Sequence, residues 1–160
     1  MANNPNLIQR YAQDELRKYQ DQPEGILVKI SYFLKDSDPS KIRYWFFEPD
    51  SVRRAEEMID LYPLNDNYKD RYGYINLPAS HPYVNAIMNT PFFNFDPLIL
   101  YVDYFGKHIV YDNIQTIFDL LGALHTYYEE NPNAFLRQNT KLQHLRKFEN
   151  GYMLSVWDGY

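Results

Sequence analysis

Prolines mark the places where most helices of this chain are expected to begin. Four prolines stand at the first turn of a predicted helix, beside polar residues that suit a helix start: Pro5, Pro49, Pro82 and Pro132. Proline has no backbone N–H, and its fixed φ angle suits the first turn of a helix but not the interior. These prolines therefore divide the chain into short elements.

Apolar side chains recur at helical spacing in five segments, at about residues 5–20, 49–62, 81–89, 113–128 and 133–148. The last segment carries Arg137, Lys141, Arg146 and Lys147 but no acidic side chain, so it predicts a basic C-terminal helix.

Alternating or continuous apolar residues predict strands at about residues 26–34, 42–47, 98–105, 108–111 and 152–157, with a short strand at 74–77. Both faces of 42–47 carry bulky side chains, which indicates a central strand. Strands and helices do not alternate regularly. The order therefore predicts an α+β fold: a single domain, residues 1–160, in which a mostly antiparallel sheet of about five strands packs with four or five helices.

The composition excludes several kinds of site. The chain has no Cys, so a disulfide, a thiol nucleophile and a thiolate metal site are all excluded. Its net charge of −5 argues against direct nucleic-acid binding, which needs a dominant basic face. No apolar stretch approaches the roughly 18 residues of a membrane span, so no membrane contact and a cytoplasmic location are expected. No metal or cofactor motif is present.

An enzymatic site has only weak candidates. His81 precedes Pro82 in a long polar loop and could serve as a general base, with Asp96 or Asp103 as a carboxylate partner. No spacing ties a nucleophile to these residues, and strand alternation turns Asp103 outward. The sequence therefore favours a non-enzymatic protein.

The strongest candidate for a binding surface is the Tyr-, Asn-, Asp- and Pro-rich loop at about residues 63–82. Long loops without regular structure are often functional, and this composition is typical of adaptable binding surfaces. The expected contact residues in and just after the loop are Asp66, Tyr68, Asp70, Tyr72, Tyr74 and Tyr83. Alternatively, these rings fold back onto the edge of the core.

A second possible docking stripe lies on the predicted C-terminal helix. Arg137, Lys141 and His144 fall at helical spacing on one face. This stripe would suit an acidic partner, or the acidic residues Glu56, Glu57 and Asp60 of a second copy. Alternatively, it is simply a solvated outer face.

The order of elements between Ile42 and Asn133 resembles that of the SUKH superfamily of toxin-immunity proteins. The resemblance rests on a strand, a helix that begins near Asp50, a polar stretch, the strand 98–105 and the helix 113–128. The N-terminal Leu-Pro and Asn-Gly elements that are usual in such proteins are missing here. The resemblance implies a protein that works by binding a protein partner.

Together these patterns favour a non-enzymatic protein-binding module, such as an immunity protein, an inhibitor or an anti-defence factor. It would bind a basic protein partner through an acidic, Tyr-rich surface. The first alternative is a small hydrolase or nucleotide-processing enzyme that uses His81 with nearby carboxylates. The second is a structural homo-oligomer, such as a homodimer, whose Tyr surface contacts itself.

Overall fold

The computed structural model describes residues 5–32, 38, 41–65, 67–93, 97–101, 108–130, 140–148 and 151–158. Its described α-helices are α1 Pro5–Arg17, α2 Pro49–Leu61, α3 Pro82–Asn89 and α4 Ile117–Glu130. The first three begin at prolines, as predicted. Pro132 lies outside the described residues.

Helix α4 begins four residues later than the predicted start at 113. Asn113 has a left-handed backbone, with φ of 64°, and so cannot continue a helix. The Asp119 carboxylate accepts hydrogen bonds from the backbone N–H groups of Gln115 and Thr116, while the Thr116 hydroxyl accepts one from the N–H of Asp119. These reciprocal bonds satisfy two backbone donors at the helix start, the N–H groups of Thr116 and Asp119, and they fix the helix start at Ile117.

The first sheet is antiparallel and has β2 in its centre, as predicted for that segment. Its strands are β1 Ile30–Ser31, β2 Arg43–Phe46 and β3 Ile75–Pro78, in the order β1-β2-β3. The predicted strand 26–34 is wrong over residues 26–29, because Pro23–Lys29 forms a 3₁₀ helix; residues 30–31 form β1, and residues 33–34 lie outside the described part. Residues 26, 27, 29 and 30 are all buried, so the segment lacks the alternating burial of a strand.

The second sheet has the order β5-β4-β7-β6. Its strands are β4 Leu98–Tyr101, β5 His108–Tyr111, β6 Thr140–Phe148 and β7 Gly151–Asp158. The β4–β7 pair is parallel and the other two pairs are antiparallel. The α+β class is therefore confirmed, but the strands are divided between two sheets instead of forming one sheet of about five.

The predicted basic helix 133–148 is wrong over residues 140–148, which form strand β6; residues 133–139 lie outside the described part. An irregularity in the β6–β7 register falls between Leu142 and His144. Such a bulge shifts the alternation by one residue. The apolar residues Leu142 and Leu145 are three residues apart across this bulge. Such spacing is typical of a helix and not of a regular strand, so it favoured the wrong prediction.

One buried cluster connects the two sheets and the helices. It includes Ala12 and Leu16 of α1, Tyr44 and Phe46 of β2, Leu77 of β3, Leu98 and Leu100 of β4, and Ile117 and Leu124 of α4. Strand β2 alternates strictly: Tyr44 and Phe46 are buried, while Arg43 and Trp45 are half-buried. The opposite face of β2 therefore points away from the core, and the candidate site lies on this face.

Candidate functional site

The loop predicted to bind a partner is built around a tight turn at residues 70–74. The Asp70 Oδ1 atom accepts hydrogen bonds from the backbone N–H groups of Tyr72, at 2.8 Å, and of Tyr74, at 2.9 Å. The Asp70 N–H in turn donates to the Tyr74 carbonyl at 2.9 Å. Gly73 has a φ of +86°, a conformation that glycine adopts without strain. Asp70 thus shapes the turn.

This turn places two tyrosines beside the outer face of β2. Tyr72 is 69% exposed and Tyr74 is 38% exposed. Tyr74 lies edge-on to Phe47, with ring centres 5.1 Å apart, and Phe47 stacks on Trp45 at 6.0 Å with nearly parallel planes. The ring centres of Tyr72 and Tyr74 are 6.3 Å apart. We call Trp45, Phe47, Tyr72 and Tyr74 the aromatic surface.

Two cations contact the rings of the aromatic surface. The Lys29 ammonium lies 4.6 Å from the centre of the Phe47 ring, and the Arg71 guanidinium carbon lies 5.0 Å from that of Tyr72. Lys29 is only 5% exposed and also lies 2.9 Å from the Glu48 carboxylate. A cation near an aromatic face attracts the ring electrostatically. These contacts hold Phe47 and Tyr72 in place.

Glu48 connects Lys29 to the turn that follows α1, since the Tyr19 hydroxyl also donates to Glu48 at 2.9 Å. Burial alone would raise the pKa of Glu48, but the hydrogen bonds from Lys29, from its own backbone and from Tyr19 hold that pKa below its ordinary value. Glu48 is therefore charged at neutral pH and keeps Lys29 beside Phe47.

A second polar network fixes β2 from its buried side. The wholly buried carboxylate of Glu15 accepts hydrogen bonds at 2.7 Å from the hydroxyls of both Tyr44 and Ser51. The Lys18 ammonium forms an ion pair with Glu15 at 3.3 Å. These bonds link α1, α2 and β2. Because Tyr44 neighbours Trp45, the network also fixes the strand that carries the aromatic surface.

An open groove of about 390 Å³ separates the aromatic surface from the first turns of α2. Phe47, Tyr72 and Tyr74 line one side, and Pro49, Val52 and Glu56 line the other. Ion pairs lie at the rim, between Lys69 and Glu56 at 3.2 Å and between Arg53 and Asp50 at 3.6 Å. Charge around the groove is therefore balanced locally, in contrast to the net charge of the whole chain.

The other predicted contact residues do not belong to the aromatic surface. Tyr68 is half-buried and packs against the core. Asp66 lies outside the described residues. Tyr83 is wholly buried, and its ring stacks on Phe46 with the centres 5.2 Å apart. Its prediction as a contact residue is therefore wrong, because α3 packs on α1 and turns Tyr83 into the core.

His81 has a structural position. It is 1% exposed, and its Nδ1 accepts the backbone N–H of Tyr83 at 3.1 Å, which caps the start of α3. Its Nε2 lies 3.1 Å from the Tyr62 carbonyl, so Nε2 carries the proton. Burial lowers the pKa of His81 and favours this neutral form. Both ring nitrogens are thus engaged with the backbone. The proposed partners Asp96 and Asp103 lie outside the described residues.

The predicted docking stripe of Arg137, Lys141 and His144 does not form as proposed. Lys141 and His144 lie on strand β6 and not on a helix, so the predicted helical stripe is wrong in its secondary structure. Arg137 lies outside the described residues.

Trp45 and Phe47 are two residues of the site that the sequence patterns did not indicate. Both lie in the segment 42–47, whose bulky side chains on both faces predict a strand buried on both sides. Strict alternation with Tyr44 and Phe46 places Trp45 and Phe47 on the opposite face, where Trp45 is half-buried and Phe47 is partly exposed. That alternation was the available signal.

Among the residues that the structure describes, no three His, Asp or Glu side chains are grouped as metal ligands. Within the same ranges, no helix has the length and apolar character needed to cross a membrane. Comparisons with protein-family models, with curated proteins and with solved structures found no match for this chain.

Proposed function

We propose that this protein is a non-enzymatic binding module that recognises a basic protein partner through the aromatic surface. The observation that carries the proposal is the clustering of four contacting rings on one face, two of them exposed at the tip of a rigid turn. An immunity protein, an inhibitor or an anti-defence factor would work in this way.

Exposed aromatic side chains held in a fixed conformation are well suited to protein binding. Tyr and Trp are enriched among the residues that dominate binding energy, because each offers a large contact area with few rotatable bonds. Burying one large apolar side chain stabilises a complex by roughly 1.5–3 kcal/mol. Since the cations and the turn already hold Phe47 and Tyr72, little further ordering is needed on binding.

The net negative charge has a separate role in the proposal. Charge is balanced around the groove, so we assign the contact energy to the rings. The chain as a whole carries −5, and such a field attracts a basic partner over a distance and accelerates association. The association rate should therefore fall as salt rises from about 0.05 M to about 0.5 M. A rate independent of salt would exclude a basic partner.

Affinity capture with matched variants tests the proposal. Wild type, Tyr72→Ser/Tyr74→Ser and Val110→Ser are immobilised and exposed to a lysate of the native host. Val110 is a suitable control because it is an exposed apolar residue on β5, in the other sheet. We expect wild type and Val110→Ser to retain the same protein and the double variant to lose it. Equal retention by all three would rule out the aromatic surface as the binding site.

A further inference from the structure

We propose that the groove between the aromatic surface and α2 receives an extended, proline-containing segment of the partner, with a basic residue beside the prolines. This inference rests on the proposed function and specifies the chemistry of the segment that is bound. Four observations support it: free hydrogen-bond donors, cationic side chains against the rings, a paired strand edge and an unpaired carboxylate on α2.

Hydrogen-bond donors on this surface are free to bind a ligand. Within the described part of the chain, the Trp45 indole N–H and the hydroxyls of Tyr72 and Tyr74 have no hydrogen-bond partner. A complementary ligand therefore supplies acceptors to these three groups. A proline-rich backbone meets this requirement, since its carbonyl groups form no internal hydrogen bonds.

The rings already contact cations, and this disfavours a ligand that inserts a cation between them. Lys29 lies against Phe47 and Arg71 lies against Tyr72. A Lys or Arg side chain inserted between these rings would meet like charge at short range. A neutral, apolar proline ring incurs no such repulsion and can pack on the exposed edges of Phe47, Tyr72 and Tyr74.

Strand addition is blocked at the sheet edge that borders the groove. The outer edge of β3 is already paired with the protein's own chain, because the Asn76 N–H donates to the Tyr68 carbonyl at 2.8 Å and Lys69 forms a β-bridge with Ile75. A partner strand could not pair with residues 75 and 76 without displacing residues 68 and 69. An extended segment must instead bind through side-chain contacts, as a polyproline II segment does in a groove lined by aromatic residues.

An unpaired carboxylate on α2 accounts for the basic residue. Arg53 and Glu56 line the groove and are paired with Asp50 and Lys69. Asp60 lies one helical turn beyond Glu56 on the same face of α2. Asp60 is exposed and has no ion-pair partner among the described side chains. A Lys or Arg that follows the prolines toward the C-terminal end of α2 would therefore meet an unpaired carboxylate. Charge complementarity thus sets the direction in which the segment lies.

Selection from a phage library of random peptides of about twelve residues tests the inference. The library is panned on the wild-type protein after depletion on Tyr72→Ala. We expect the enriched peptides to contain spaced prolines next to Lys or Arg. Enriched peptides without proline, or no enrichment above background, would overturn the inference.

Titration with an enriched synthetic peptide gives the quantitative readout. In a Trp157→Phe background, Trp45 is the only remaining tryptophan and reports on binding by its fluorescence. We expect Tyr72→Ala to weaken binding at least about tenfold. Asp60→Asn should weaken binding of the basic peptide but not of its Ala-substituted version. An equal effect of Asp60→Asn on both peptides would contradict the assigned direction.

The two proposals can fail separately. If the host protein is lost from Tyr72→Ser/Tyr74→Ser while the library yields no proline peptides, the binding function stands and the inference about its ligand is wrong. If capture of the host protein does not depend on these tyrosines, the proposed binding surface itself is wrong.

Discussion

The buried ammonium of Lys29 lies 4.6 Å from the centre of the Phe47 ring, while Phe47 itself faces solvent. A charge taken out of water thus supports an exposed aromatic side chain. The Glu48 carboxylate lies 2.9 Å from the Lys29 ammonium and compensates its charge. The Lys29–Glu48 ion pair therefore supports the aromatic surface. Its removal should lower both the stability of the fold and the affinity for a partner.

Replacing Lys29 with Met leaves Glu48 without its cation. We expect Lys29→Met to destabilise the fold by about 1–3 kcal/mol, less than for a fully buried pair because Glu48 stays partly solvated. Lys29→Met/Glu48→Gln should recover most of this loss, since no unpaired charge remains. Urea unfolding of the three proteins measures the effect. Equal destabilisation of the single and double variants would show that the ion pair is not the cause.

Acid should weaken the fold through Glu48. Its folded pKa lies below the unfolded value, so it contributes stability above about pH 4.5 and loses this contribution as pH falls through the folded pKa. Wild type should therefore lose stability faster than Glu48→Gln between about pH 5 and pH 3. Thermal unfolding across this range provides the test. Parallel curves for the two proteins would contradict the assignment.

His81 should behave as a structural cap with a neutral side chain. Its folded pKa is lowered, so the unfolded chain binds the proton more readily and stability falls as pH drops below about 6.5. His81→Asn keeps a cap acceptor but loses the bond to Tyr62, and should cost about 1–2 kcal/mol at pH 7.5. The difference from wild type should shrink at pH 5.5, as measured by urea unfolding. A gap that widens on acidification would exclude a neutral buried imidazole.

Two glycines without close neighbours provide a matched pair of substitutions. A Cβ at either Gly73 or Gly122 would meet no atom within 4 Å, but only Gly73 has a positive φ. Gly73→Ala should cost about 1 kcal/mol through backbone strain and should weaken peptide binding by shifting the turn. Gly122→Ala, within α4, should stabilise the protein by about 0.5–1 kcal/mol. Melting temperatures and Trp45 titrations distinguish the two, and a stabilising Gly73→Ala would contradict the role of the turn.

The sequence predicted helix starts that depend on the residues at the start itself. Pro5, Pro49 and Pro82 identified three helix starts because proline is tolerated at the first turn and not in the interior. The start of α4 was misplaced because several polar residues near 113 could cap it. Only the reciprocal bonds of Thr116 and Asp119 select among them.

Features that depend on tertiary packing were not predictable in the same way. The bulge in β6 destroys the alternation that identifies a strand. Tyr72 and Tyr74 are exposed on the turn, whereas Tyr83, predicted to belong to the same contact surface, is buried where α3 packs on α1. Local composition indicated a binding loop, but it could not identify which rings the core would bury.

The position of β7 has a consequence for protein synthesis. Strand β7 lies between β4 and β6 in the second sheet, and Gly151 is required because a Cβ there would lie 2.4 Å from the carbonyl oxygen of Ile99. On the ribosome, β4 emerges about fifty residues before β7, so one edge of β4 stays open while the intervening chain is translated. The first sheet, complete by residue 78, has no such delay. The nascent chain therefore passes through a stage in which the strands of the first sheet are paired but β4 still lacks β7 as its neighbour. At this stage a chaperone, or another copy of the chain, can bind the open edge of β4.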